Sequence, residues 1–157
     1  EAAARYFAFG GEQLGRGPLP PRVGRTTSYW IFLKLTNTSN TVNDGVLTLR
    51  LAPGVRFLDR VSAKEPLSFD PDSQTVRWQV GTVPAWTGSG FTALEAAFEI
   101  MFTPATSQAG QVPPLILDPL FSGQDTETKQ AIKILLPPLT TNLTSDAIAA
   151  GKGTVRL

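Results

Sequence analysis

The feature that most constrains this chain is a series of short segments in which apolar side chains recur at every second position. The clearest of them runs from Thr27 to Asn37. Successive side chains of a β-strand point to opposite faces, so this spacing predicts a strand with one face in a core. Its opposite face carries Trp30 and Phe32, so we expect both faces to be covered. The predicted core-facing residues of this strand are Tyr29, Ile31, Leu33 and Leu35.

Similar segments recur along the chain and are separated by turn residues. Thr75 to Val80 places Trp78 on the core side, and Leu94 to Thr103 does the same for Phe98 and Ile100. The 14 Gly and 13 Pro favour many turns and few long helices. About seven to nine short strands at even spacing predict an all-β chain folded as an antiparallel β-sandwich. Asp44-Gly45 is predicted to form a tight hairpin turn between two of them.

Composition excludes several classes of function. The net charge of +1 gives no basic field for nucleic acid, and no apolar run approaches the ~20 residues that span a bilayer. The chain has no Cys and no His, which removes thiolate chemistry, the commonest general base and the commonest zinc ligand. Asp70 and Asp72 flank a Pro and are interpreted as a turn, not a calcium loop. We therefore predict no enzymatic activity, no cofactor and no metal.

The chain divides into three predicted parts. Residues 1–17 form an N-terminal arm or linker, residues 18–139 form the sandwich, and residues 140–157 form a C-terminal tail or linker. The arm contains Tyr6, Phe7 and Phe9 and is too short to fold alone.

Several turn and strand motifs resemble a known family, the Ig-like conserved repeat domain of bacterial and archaeal cell-surface proteins, as found in large surface proteins of uncultivated bacteria. The resemblance covers residues 18–141 and implies an Ig-like sandwich, an extracellular location and no catalysis. The matching motifs are Pro18-Leu19-Pro20-Pro21 with Val23-Gly24, Leu35-Thr36-Asn37-Thr38-Ser39, Leu51-Ala52-Pro53-Gly54-Val55, Val76 to Val83, Phe98-Glu99-Ile100 with Thr103-Pro104, and Ser122-Gly123-Gln124-Asp125.

The doubly apolar strand and the aromatic arm together suggest self-association. An open sandwich edge can accept a strand from the next subunit, and head-to-tail addition gives filaments or surface layers. We predict Tyr6, Phe7 and Phe9 as the donated residues, and Trp30 and Phe32 as the receiving face. The arm can equally pack on its own domain as a first strand.

The alternative function is a carbohydrate-binding or adhesion module. Trp30, Trp86 and Phe91 could stack on sugars of a surface polysaccharide. Lys34 lies on the mostly apolar face of its strand, where we expect its stem to cover apolar surface rather than its amine to form a crosslink.

Overall fold

The computed structural model describes all 157 residues and shows two antiparallel sheets packed face to face. The predicted all-β sandwich is confirmed. It has ten strands instead of seven to nine, because short segments near both ends of the chain also pair. The strands are β1 (Ala2–Arg5), β2 (Thr27–Leu35), β3 (Val42–Leu51), β4 (Val55–Ala63), β5 (Leu67–Asp70), β6 (Thr75–Val83), β7 (Leu94–Phe102), β8 (Pro114–Asp125), β9 (Ala131–Leu135) and β10 (Leu139–Thr140), and one 3₁₀ turn spans Thr106–Gln108.

The two sheets differ in size and in how their edges are formed. The smaller sheet has the order β1-β2-β7-β4, and the larger has the order β10-β8-β3-β6-β5. Strand β9 also pairs with β8, next to residues 120–124, whereas β10 pairs with the other half of β8. The free edges of the larger sheet are therefore β5 on one side and β9 with β10 on the other.

The core lies between the sheets and contains the residues that the alternation assigns to it. Leu35 is half-buried, at the end of its strand, and the other predicted core residues are at most 1% exposed. Burying each large side chain of this kind contributes about 1.5–3 kcal/mol. Both terminal segments add to the core, through Tyr6 on one side and Leu143, Ala149 and Val155 on the other. The fully buried predicted residues are Tyr29, Ile31, Leu33, Trp78, Phe98 and Ile100.

The hairpin predicted at Asp44-Gly45 is wrong, because both residues lie inside β3. Asp44 has a φ of 54°, and the pairing of β3 with β6 shifts on either side of Gly45. Gly45 lies opposite Gly81, and a Cβ on it would come within 2.9 Å of the Gly81 carbonyl oxygen. Residue types that suit a tight turn instead form a β-bulge at this position, which bends β3 without interrupting it.

Candidate subunit interface

The outer side of the four-stranded sheet carries the aromatic residues that the sequence predicts as a receiving face. Because Tyr29, Ile31 and Leu33 point into the core, Trp30 and Phe32 point away from it. Both are half-buried, and their ring centroids lie 6.4 Å apart at a tilt of 35°. The sheet thus presents two neighbouring aromatic side chains on its outer side.

The N-terminal arm adds a third aromatic ring to the same surface. Phe9 lies edge-on to Phe32, with 6.1 Å between ring centroids, and is 80% exposed. The guanidinium of Arg5 lies 3.6 Å from the centroid of the Phe9 ring, in a cation–π contact. We call the surface formed by Phe9, Trp30 and Phe32 the outer aromatic face. Predicted donor and receiving residues therefore lie side by side within one chain.

An ion pair between a buried Glu and a largely exposed Arg borders the outer aromatic face. Glu99 lies opposite Trp30 on β7 and is 2% exposed. A register shift between Leu58 and Val61 interrupts the pairing of β4 with β7, and Arg60 lies within it. From there Arg60 Nη1 donates to Glu99 Oε2 at 2.7 Å, and its guanidinium lies 5.6 Å from the Trp30 ring centroid. Removing Arg60 would leave an unpaired buried charge, which is costly.

The other buried carboxylate, of Asp146, fastens the arm to the C-terminal segment. Its Oδ2 accepts the backbone N–H groups of Tyr6 and Phe7, each at 2.8 Å. Its Oδ1 accepts those of Ile148 and Ala149, at 3.0 and 2.9 Å. Burial by itself would raise the pKa of Asp146, yet the pKa is lowered from its ordinary value because these four donors favour the ionised form.

The three predicted arm residues differ in their surroundings. Tyr6 is buried, and its hydroxyl donates to the Gly17 carbonyl at 2.7 Å. Its ring makes edge contacts with Phe7 at 5.2 Å and with Tyr29 at 6.3 Å. Phe7 is half-buried, and only Phe9 is largely exposed. These contacts are all made within one chain, so the exchange of the arm between chains stays a prediction.

Of the other side chains singled out in the sequence, Lys34 lies beside this face, where it lines a groove together with Phe9 and Phe32. Trp86 and Phe91 are exposed in the loop between β6 and β7, whereas the ring of Trp30 contacts that of Phe32. The structure thus does not unite the three aromatic residues of the predicted sugar platform. Lys34 is exposed opposite Glu95. Asp70 accepts the Asp72 N–H at 3.0 Å, as a turn residue does.

Comparisons with known proteins give a distant likeness of fold. No protein-family model and no curated protein matches the sequence significantly. A solved structure of BcpA, the major pilin subunit of Bacillus cereus, is 12% identical with a TM-score of 0.49, over 82% of this chain and 40% of that chain. Two domains of the major pilin SpaD from Corynebacterium diphtheriae are 12% identical with a TM-score of 0.45, over 82% and 52%. The RrgA Jo.In complex is 5% identical with a TM-score of 0.47, over 87% and 81%.

These likenesses are partial and concern the fold alone. The chain spans about half or less of the two pilin chains. TM-scores below 0.5 at such low identity assign neither a family nor a function. No helix in the structure is both long and apolar enough to cross a membrane, and no group of three or more His, Cys, Asp or Glu side chains is placed to hold a metal ion.

Sequence reasoning missed both buried carboxylates. Glu99 carried a usable signal, since it is a charged residue in the otherwise apolar run from Ala96 to Phe102. A carboxylate in such a strand needs a partner, and an Arg on a neighbouring strand is the obvious choice. Asp146 carried no signal for its contacts with the arm, because its segment is short, polar and Ala-rich, and Tyr6 and Phe7 lie 140 and 139 residues away.

Proposed function

We propose that this chain is a structural module of an extracellular surface assembly, in which neighbouring copies exchange the N-terminal arm and build a filament or layer. The location rests on the sequence motifs of residues 18–141. The self-association rests on how β1 is held and on the outer aromatic face beside it.

The observation that carries the proposal is that β1 is an edge strand held by contacts any copy can supply. It pairs with β2 through backbone groups, and Asp146 binds the two N–H groups that follow it. None of these contacts requires β1 and β2 to be close in sequence. Residues 6–26 connect them, and the second part of this connection, residues 18–26, has no named strand and contains three Pro, which favour an extended chain. Straightening this connection would carry the arm to the next copy.

The outer aromatic face also has the chemistry of a protein interface. Aromatic and Arg side chains are enriched at the centres of such interfaces. Phe9 exposes most of its ring, and Arg5 and Arg60 flank the three aromatic residues. A copy docked on this face would bury Phe9.

A disulfide trap tests whether the arm is exchanged. Glu1 and Lys34 exchange both backbone hydrogen bonds, so the next pair, Ala2 and Leu33, is a non-bonded pair whose side chains are close. The chain has no Cys of its own. We therefore expect the Ala2→Cys/Leu33→Cys variant, oxidised at high concentration, to form a ladder of covalent oligomers on non-reducing gels.

The controls separate exchange from random oxidation. Each single-Cys variant can form at most a disulfide-linked dimer. Oxidation of the double variant at high dilution gives the reference band for a monomer with an internal disulfide. A double variant that forms only an internal disulfide at every concentration refutes exchange of the arm. Sedimentation of the unmodified chain tests self-association separately, and a monomer at the highest attainable concentration refutes it.

A further inference from the structure

The two free edges of the larger sheet are complementary in direction, hydrogen bonding and charge. We propose that β9 of one copy pairs in parallel with β5 of a second copy, so that the sheet continues from one molecule to the next. This contact lies on the other sheet from β1, and it does not depend on exchange of the arm.

The direction of the strands allows this pairing by simple translation. From β9 to β5 the sheet takes four antiparallel steps, through β8, β3 and β6. An even number of reversals leaves β9 and β5 running the same way. A second copy placed beside the first without rotation therefore presents its β5 parallel to β9, and repetition gives an open row of molecules.

The backbone groups at both edges face outward at alternate residues. The Leu136 N–H donates to the Pro119 carbonyl, and the Asp125 N–H donates to the Gln130 carbonyl. The even-numbered residues of β9 therefore bond to β8. Ala131, Lys133 and Leu135 therefore turn their peptide groups to the free edge. On the other side, the Gln79 N–H donates to the Pro66 carbonyl, so by the same alternation Leu67 and Phe69 face the free edge of β5.

These positions fix one register for a parallel pair. In parallel pairing, a residue that faces the neighbour lies opposite one that faces away. With Lys133 opposite Asp70, the Ala131 and Lys133 N–H groups reach the Leu67 and Phe69 carbonyls, and the Phe69 N–H reaches Ala131. Pro71 follows and has no N–H, so the pairing ends there.

Side chains on both faces fit this register. Lys133 and Asp70 both lie on the outer face, opposite Ser122 and Thr75 of their own sheet, and neither has a salt-bridge partner within the chain. The register therefore sets an ammonium beside a carboxylate. A two-fold pairing of β9 with itself centred on Lys133 would instead set two ammonium groups opposite each other, which is unfavourable.

The core-facing side of the junction buries apolar surface. Ile134 is 51% exposed although it points to the core side of β9, opposite Phe121. The free edge of β5 opens on a groove of about 360 Å³ lined by Phe57, Val61 and Phe69, among others. In the proposed register Ile132 lies opposite Phe69, which lines this groove, and Ile134 lies opposite Pro71, where the pairing ends. The contact thus places Ile132 at the groove and Pro71 beside the exposed side chain of Ile134.

Mixed single-Cys variants test this contact. Ala131 and Ser68 lie opposite each other in the register, whereas within one chain they are separated by four strand spacings, roughly 19 Å, so only the proposed contact between two copies brings them together. We expect an equimolar mixture of Ala131→Cys and Ser68→Cys chains, carrying tags of different mass, to form mostly heterodimers in a glutathione buffer. Adding Lys133→Glu to the Ala131→Cys chain should lower the heterodimer yield about fivefold, whereas Lys133→Arg should preserve it.

The controls make each outcome decisive. Gln79→Cys is exposed on the outer face of the same sheet but is not at an edge, so Ala131→Cys mixed with it gives the background yield. A β9–β5 heterodimer yield at background overturns the proposal, and so does a majority of Ala131→Cys homodimers. A lower heterodimer yield with Lys133→Glu supports the contact only if the circular dichroism spectrum of this variant matches that of the parent chain. Because β1 is unchanged in all of these chains, the result is independent of the trap for arm exchange.

Discussion

Replacing Asp146 with Asn should destabilise the fold by an amount that its hydrogen bonds predict. The carboxylate accepts four backbone N–H groups with its two oxygens, at 2.8–3.0 Å. An Asn side chain has one acceptor oxygen, so two of these donors would face an amide NH₂ group. Each hydrogen bond to a charged group contributes about 1.5–3 kcal/mol. Because the neutral side chain also relieves the cost of a buried charge, we expect a net loss of about 3 kcal/mol.

The measurement is urea unfolding at pH 7, followed by tryptophan fluorescence, which changes on unfolding because Trp78 is fully buried in the folded chain. A loss of this size corresponds to a fall in Tm of about 6–12 °C for a domain of this length. Asp72→Asn is the matched control, because Asp72 is an exposed carboxylate that accepts no hydrogen bond in the structure. We expect that variant to unfold within about 0.5 kcal/mol of the parent chain.

The pH dependence gives a second, independent check of the same reasoning. The pKa of Asp146 is lowered in the folded chain, so the unfolded chain binds more protons near the ordinary pKa of about 3.9. The stability contributed by the carboxylate is therefore complete above that pH and is lost as the pH falls through the folded value. The gap between parent and Asp146→Asn should shrink on acidification. A gap below about 1 kcal/mol at pH 7, or one that does not change with acid, would refute the account.

Two further predictions concern the border of the outer aromatic face and the arm. Arg60→Met should cost about 1.5 kcal/mol in urea unfolding, because the buried Glu99 carboxylate loses the hydrogen bond that the partly exposed Arg60 donates. Adding Glu99→Gln should recover part of that loss, and no recovery would mean that the two residues are not coupled. Tyr6→Phe should cost about 1 kcal/mol by thermal unfolding, through loss of the hydroxyl's bond to a backbone carbonyl, and an unchanged Tm would contradict that bond.

The sequence predicts what depends on alternation and misses what depends on distant contacts. Tyr29, Ile31 and Leu33 are buried where their period requires, since one strand's pattern is enough to assign its core side. The hairpin prediction at Asp44-Gly45 was wrong because a residue with a positive φ followed by Gly occurs in β-bulges as well as in hairpin turns. Only the pairing of the whole strand decides between the two.

The terminal segments are the hardest part to predict. Residues 140–157 have sparse apolar side chains and no period, yet Leu143 and Val155 join the core. Their burial depends on surfaces created by other parts of the chain, such as the Val23 and Gln111 backbones that bond to residues 155 and 156. For the candidate interface, the sequence predicted the outward pair Trp30 and Phe32 and the Phe9 of the arm, but not the charged groups around them.

The way the arm is fastened has a mechanical consequence. The hydrogen bonds of β1 to β2 run across the strand axis, and the Asp146 bonds lie at the inner end of the same segment. A pull along that axis therefore loads all of these bonds at once, in shear, instead of opening them one after another. A module fastened in this way resists tension along the arm better than its few bonds would suggest.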